Sequence, residues 1–74
     1  MKVSLKAARV NAELTQMEAA ERAGLSRERL LYIEKSGGAD IKYSTLLTLC
    51  NVYNCTPDDI FLPINSTLSE VSAS

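Results

Sequence analysis

The sequence predicts an all-α fold built from five short helices. Its 74 residues are enough for a single small domain. Nowhere does the chain sustain the alternation of apolar and polar residues that marks a half-buried strand. Residues that start and stop helices recur at short intervals instead, and they divide the chain into helical segments.

The first two helices follow from an apolar pattern and a capping pattern. Spaced apolar side chains predict a helix over about residues 4–13. Thr15 and Glu18 then fit a capping box, in which each side chain accepts a hydrogen bond from the other residue's backbone N–H. The second helix is therefore expected to begin after Thr15 and to end at Gly24, because glycine readily adopts the left-handed conformation that closes a helix.

A tight turn joins the second predicted helix to the third. Ser26 is a natural N-cap, and the third helix is expected to end near the glycines at positions 37 and 38. Leu30 and Ile33 lie three residues apart and therefore share one buried face. Two helices separated by about three residues, with glycine in the turn, form a helix-turn-helix.

The second half of the chain predicts two more helices and a tail. Its leucines predict a fourth helix over about residues 43–54. Thr56 and Pro57, followed by two aspartates, suit a helix start, so a short fifth helix is expected to complete a domain of residues 1–63. Residues 64–74 are small, polar and rich in serine, and we expect them to form a flexible tail.

Positive charge is confined to the first part of the sequence. The net charge is −1, with eight lysines and arginines against nine acidic residues. All eight bases and six of the acids lie in residues 1–42, which gives +2, whereas residues 43–74 hold only the other three acids, which gives −3. A polyanion would therefore meet the first part of the chain.

Composition argues against catalysis and against bound cofactors. The chain has no histidine, no phosphate-binding loop and no nucleophile beside a base, so we do not expect an enzyme. Cys50 and Cys55 cannot complete a tetrahedral zinc site by themselves, and we expect both to be reduced core residues. The sequence therefore predicts no metal, no cofactor and no small-molecule ligand.

The sequence also predicts a protein of the cytoplasm. No apolar run reaches the ~18 residues needed to span a bilayer. Charged residues occur within the first few positions, unlike the apolar stretch of a secretory signal. We therefore expect neither a membrane segment nor secretion.

The stretch LTQMEAAERAGLSRERLLYIEKSGG, residues 14–38, resembles the phage-repressor and Cro-type (XRE-like) helix-turn-helix family. Arg9 and a later run of core positions extend the resemblance over roughly residues 5–62. The resemblance implies a compact five-helix bundle of the lambda-repressor-like DNA-binding type, with helices two and three as the helix-turn-helix. The other matching positions are Leu14, Thr15, Gln16, Ala20, Gly24, Leu25, Ser26, Leu30, Glu34, Leu49, Cys50, Cys55 and Ile60.

The resemblance implies roles for individual side chains. It places Arg27, Glu28 and Tyr32 at the family's base-reading positions, where an arginine can fork onto guanine and a carboxylate can accept from cytosine. For the two charged residues the alternative is a solvated helix face. Arg9 and Glu34 are implied to form a structural ion pair beneath the recognition helix. The implied phosphate contacts are Gln16, Ser26, Arg29, Lys35, Gly37, Lys42 and Tyr43.

Two functions are consistent with these residues. The first is a sequence-specific regulator of transcription that binds double-stranded DNA, in the form of a repressor that occupies a palindromic operator as a homodimer. The apolar residues Phe61, Leu62 and Ile64 would then supply the dimer interface, unless they pack against their own core. The second is a protein-interaction module, such as an antitoxin or an antirepressor, that uses the same fold.

Overall fold

The computed structural model describes residues 2–62, which form four α-helices and one 3-10 turn. This part of the chain has no strand beyond one isolated bridge, so the all-α prediction is confirmed and the count of five helices is wrong. None of its helices is long and apolar enough to cross a membrane. The predicted tail, residues 64–74, lies outside the described residues. The elements are α1 (Leu5–Asn11), α2 (Gln16–Ala23), α3 (Arg27–Lys35), α4 (Tyr43–Tyr53) and the turn Pro57–Asp59.

The 3-10 turn and an extended segment stand where the fifth helix was predicted. Val3 takes the backbone groups that a continuing helix would use: its N–H donates to the Asp59 carbonyl at 2.9 Å, and its carbonyl accepts from the Phe61 N–H at 2.8 Å. Val3 and Ile60 thereby form a parallel bridge. Leu62 also precedes a proline, and a residue in that position is disfavoured in the helical conformation.

Side-chain hydroxyls begin the first three helices. Ser4, Thr15 and Ser26 each accept a hydrogen bond, at 3.0–3.1 Å, from the backbone N–H three residues further on. Glu18 completes the predicted capping box by accepting from the Thr15 N–H at 2.8 Å. Hydrogen bonds from the Thr15 backbone and hydroxyl stabilise the charged carboxylate and lower the pKa of Glu18.

All four described helices end in the same backbone motif. A residue with positive φ follows each helix, and the N–H of the next residue donates to the carbonyl five positions earlier. Glycine holds this position after α2 and α3, as Gly24 (φ 71°) and Gly37 (φ 69°). Glu13 (φ 62°) after α1 and Asn54 (φ 58°) after α4 adopt the same conformation although each carries a Cβ.

The core lies around α4, which contacts α1, α2 and the 3-10 turn. Ala19 and Ala20 of α2 are buried, and their small side chains let α2 approach α3 and α4 closely. Cys50 lies in this core and Cys55 packs against it, both as free thiols. The largest fully buried side chains come from three helices and the segment after the turn: Leu5, Leu30, Leu49 and Ile60.

Candidate nucleic-acid interface

A buried polar network fixes α3 to α1 and to the start of α2. Arg9 Nε donates to Glu34 Oε2 at 2.7 Å, and Arg9 Nη2 donates to Glu34 Oε1 at 3.3 Å. Gln16 Nε2 donates to the same Oε1 atom at 3.2 Å, and Arg9 Nη1 donates to the Leu14 carbonyl at 2.8 Å. The side chains of Arg9 and Glu34 are only 10% and 4% exposed. The implied ion pair is therefore a bidentate contact that locks the orientation of α3.

Tyr53 lies close to this network, a position that sequence reasoning missed. Its side chain is buried, and its hydroxyl has no hydrogen-bond partner among residues 2–62. Burial, followed by the negative charge of Glu34, raises the pKa of Tyr53 to about 12. No local signal predicted this, because Tyr53 ends α4 and Glu34 lies in α3, 19 positions earlier.

The first turn of α3 is exposed and charged. Arg27, Glu28 and Arg29 are exposed, and none of them forms an ion pair with another described residue. The Ser26 hydroxyl caps the helix by accepting from the Arg29 N–H at 3.1 Å. Two arginines at a helix N-terminus lie against the positive end of the helix dipole. Helix stability alone therefore does not favour them.

Tyr32 continues the exposed face one turn later. Its side chain is 54% exposed, and its hydroxyl donates to Asp40 Oδ2 at 3.2 Å. This contact ties the loop between α3 and α4 to the recognition face. Lys35 and Lys42 are exposed on either side of that loop, and Gly37 turns the chain between them with φ 69°.

Three of the seven implied phosphate contacts line surface hollows. Gln16 and Lys35 line one hollow together with Tyr32, and we call it the α1–α3 hollow because Lys6 of α1 also lines it. Tyr43 is 66% exposed and lines a different hollow, beside the 3-10 turn. The α1–α3 hollow is completed by Leu31 and Glu34.

Sequence reasoning missed Lys6, although a signal for it exists. Lys6 precedes Arg9 by three residues on α1, a spacing that puts two side chains on the same face of a helix. Leu31 of α3 lines the same hollow and is half-buried. The hollow therefore lies between Lys6 on α1 and Leu31 on α3.

The three residues expected at a dimer interface have different surroundings. Phe61 is 55% exposed. Leu62 is only 8% exposed, and it packs so close to Gly38 that a Cβ on that glycine would lie 2.6 Å from its Cδ2 atom. The side chain of Leu62 therefore packs against its own core, which was the alternative to a dimer contact, and a place for it in a dimer interface stays a prediction. Ile64 lies outside the described residues.

Comparison with known proteins identifies the family. A family model described as Helix-turn-helix matches residues 5–60, which include α2, α3 and the turn between them. No curated protein and no solved structure matches the chain with significant similarity. No group of three or more metal-binding side chains is found within residues 2–62. The chain belongs to the phage-repressor and Cro-type (XRE-like) helix-turn-helix family of DNA-binding regulators.

Proposed function

We propose that the protein is a cytoplasmic repressor that binds a palindromic DNA operator as a homodimer, with α3 in the major groove. The observation that carries the proposal is the unpaired, exposed charge at the start of α3. The buried contact of Glu34, near the end of α3, with Arg9 and Gln16 holds the helix in one orientation. A rigid helix with free hydrogen-bonding side chains at its N-terminus suits the reading of base edges.

Arg27, Glu28 and Tyr32 are proposed to read bases. Arg27 donates two parallel hydrogen bonds to the O6 and N7 atoms of a guanine, and Glu28 accepts from the amino group of a cytosine. The Tyr32 hydroxyl already has a partner in Asp40, so the exposed ring is the part left to contact a thymine methyl group.

The phosphate contacts are proposed to surround this reading edge. Gln16 uses one amide hydrogen for Glu34, and its second amide hydrogen remains available to a phosphate oxygen. Lysines and arginines on both sides of α3 supply charge, and backbone N–H groups approach closely at the glycine turn. The proposed set is Gln16, Ser26, Arg29, Lys35, Gly37, Lys42 and Tyr43.

Dimerisation is proposed because a single reading helix covers too few base pairs for specific binding. Two copies related by a twofold axis would place their α3 helices on half-sites about 34–36 Å apart. Phe61 is an exposed aromatic side chain at the edge of the core, which supports a place for it at the dimer interface. Ile64, three residues further along, is proposed to share that interface.

Selection of bound fragments from a random pool of DNA duplexes tests the proposal. We expect a palindromic consensus with half-sites one helical turn apart. If no saturable complex that resists competitor DNA forms at low salt, the operator model is wrong and a protein-interaction module is favoured. This one experiment tests DNA binding, symmetry and half-site spacing together.

Replacing Arg27 tests the base contact directly. Arg27→Ala is expected to weaken operator binding by about 1–3 kcal/mol per half-site and to relax the preference at one position of each half-site. Binding to the selected duplex and to its single-base variants measures both effects. Arg22→Ala, which removes an exposed arginine of α2, is the matched control. Equal weakening on all sequences would make Arg27 a phosphate contact instead.

A further inference from the structure

The α1–α3 hollow has a volume of about 570 Å³ and opens beside the exposed face of the recognition helix. Two helices contribute a lysine to it, Lys6 from α1 and Lys35 from α3. Gln16 at the start of α2 lines it as well. The hollow therefore combines cationic and amide donors from three separate helices.

Lys6 and Lys35 leave positive charge around the hollow. Glu34 is the acidic residue in its lining, and its carboxylate already accepts from Arg9 and Gln16. Neither lysine forms an ion pair with any residue between positions 2 and 62. Two uncompensated ammonium groups that line one concave surface favour an anion there.

The lining of the hollow is not only polar. Leu31 is half-buried in it, and the exposed ring of Tyr32 lies next along the helix. A small inorganic anion makes no favourable contact with apolar side chains. A DNA backbone presents a phosphate joined to a carbon-rich deoxyribose, so it matches both kinds of surface.

We propose that the α1–α3 hollow seats one phosphate of the DNA backbone together with its deoxyribose. Lys6 and Lys35 contact the phosphate, and Gln16 donates its free amide hydrogen to the same group. Leu31 packs against the sugar. The inference rests on the proposed DNA binding and makes α1 part of the interface.

The salt dependence of DNA binding tests the role of Lys6. Each neutralised phosphate contributes a slope of about 0.9 to the fall of log K with log salt, so one contact in each subunit of the dimer accounts for a factor of about 12 between 50 and 200 mM salt. In Lys6→Gln we expect the ratio of Kd values at these two concentrations to fall by that factor. Weakening is expected to be uniform across duplexes, with base preference unchanged.

Arg22→Gln is the matched control, because Arg22 is an exposed basic residue of α2 that lines neither hollow. It removes the same charge and is expected to leave the salt dependence close to that of the wild type. Full-length protein and the duplex selected from the random pool are used throughout, with a scrambled duplex of equal length. If Lys6→Gln and Arg22→Gln behave alike, the inference is overturned while the proposed function stands. If wild-type protein binds neither duplex, both fail.

Leu31→Ala tests the apolar half of the hollow. Loss of one or two buried methylene contacts is expected to weaken binding about fourfold to fifteenfold per half-site. The salt dependence should remain that of the wild type, because no charge is removed. Leu47→Ala, at an exposed leucine of α4, controls for a general loss of packing. Unchanged affinity in Leu31→Ala overturns the proposed sugar contact.

Inorganic phosphate distinguishes a DNA backbone site from a small-anion site. At constant ionic strength we expect millimolar phosphate to leave duplex binding by the wild type unchanged. If phosphate displaces the duplex from the wild type but not from Lys6→Gln, the hollow prefers a free anion. That result would overturn the assignment to the DNA backbone.

Discussion

Arg9 and Glu34 form the contact on which the geometry of the recognition helix depends. Both side chains are nearly buried, and the Arg9–Glu34 distance is 2.7 Å. Removing one partner leaves the other charged and buried, which typically costs about 3–5 kcal/mol. We therefore expect Arg9→Met and Glu34→Met each to lower the free energy of unfolding by about that much. Urea unfolding of the single and double variants measures the loss.

The double variant separates the ion pair from packing. If the two charges matter mainly to each other, Arg9→Met combined with Glu34→Met should lose clearly less than the sum of the single variants. Arg22→Met, at an exposed arginine, should change the free energy of unfolding by less than about 0.5 kcal/mol. Additive losses would mean that Arg9 acts mainly through its bond to the Leu14 carbonyl.

The joints between elements depend on residues in the left-handed conformation, but they differ in the space around them. Gly38 (φ 83°) is buried, and a Cβ there would lie 2.6 Å from Leu62 and 3.2 Å from Leu5. Gly24 (φ 71°) has open space around it. We expect Gly24→Ala to lower the free energy of unfolding by about 1–2 kcal/mol, from backbone strain alone.

Gly38→Ala should cost more than Gly24→Ala, because overpacking adds about 1–3 kcal/mol to the same strain. The urea midpoints of the two alanine variants compare the two positions directly. Equal losses would show that the contact between Gly38 and Leu62 relaxes freely, and the close packing of the last described residues on the core would then contribute little to stability.

Most elements could be predicted from the sequence because they depend on residues close together in the chain. Features that depend on long-range contacts could not be predicted. The Thr15–Glu18 capping box and the stop at Gly24 involve residues close in the chain, and both occur in the structure. The fifth helix was wrong because Val3, far away in sequence, takes the backbone groups around Ile60. Burial of Leu62 depends in the same way on a distant residue, Gly38.

At the scale of the whole molecule, the candidate interface also combines features that the sequence predicted with features that it did not. The charged start of α3 could be predicted because it belongs to one helix with a clear cap. The α1–α3 hollow could not, since its lining comes from three helices whose distances are set by the fold. The contact of Arg9 with Glu34 spans 25 positions, and only resemblance to the family implied it.

A buried thiol and a buried phenol in the core predict how the stability of the whole molecule depends on pH. Burial, followed by the hydrogen bond with Cys55, raises the pKa of Cys50 from 9.0 to about 12. Burial also raises the pKa of Tyr53 from 10.0 to about 12. The folded state therefore holds both protons more tightly than the unfolded state. Their contribution to stability is complete below pH 9 and is lost as the pH rises towards 12.

Urea unfolding at a series of pH values from 8 to 12 measures this loss. We expect the free energy of unfolding to begin falling near pH 9 in the wild type, when unfolded Cys50 starts to ionise. Cys50→Ala should delay the onset to about pH 10, where Tyr53 alone remains. Adding Tyr53→Phe should flatten the remaining slope, and because its hydroxyl has no partner among residues 2–62, little hydrogen bonding is lost with it. If the free energy of unfolding of the double variant falls as steeply with pH as that of the wild type, the alkaline sensitivity comes from surface lysines and not from the core.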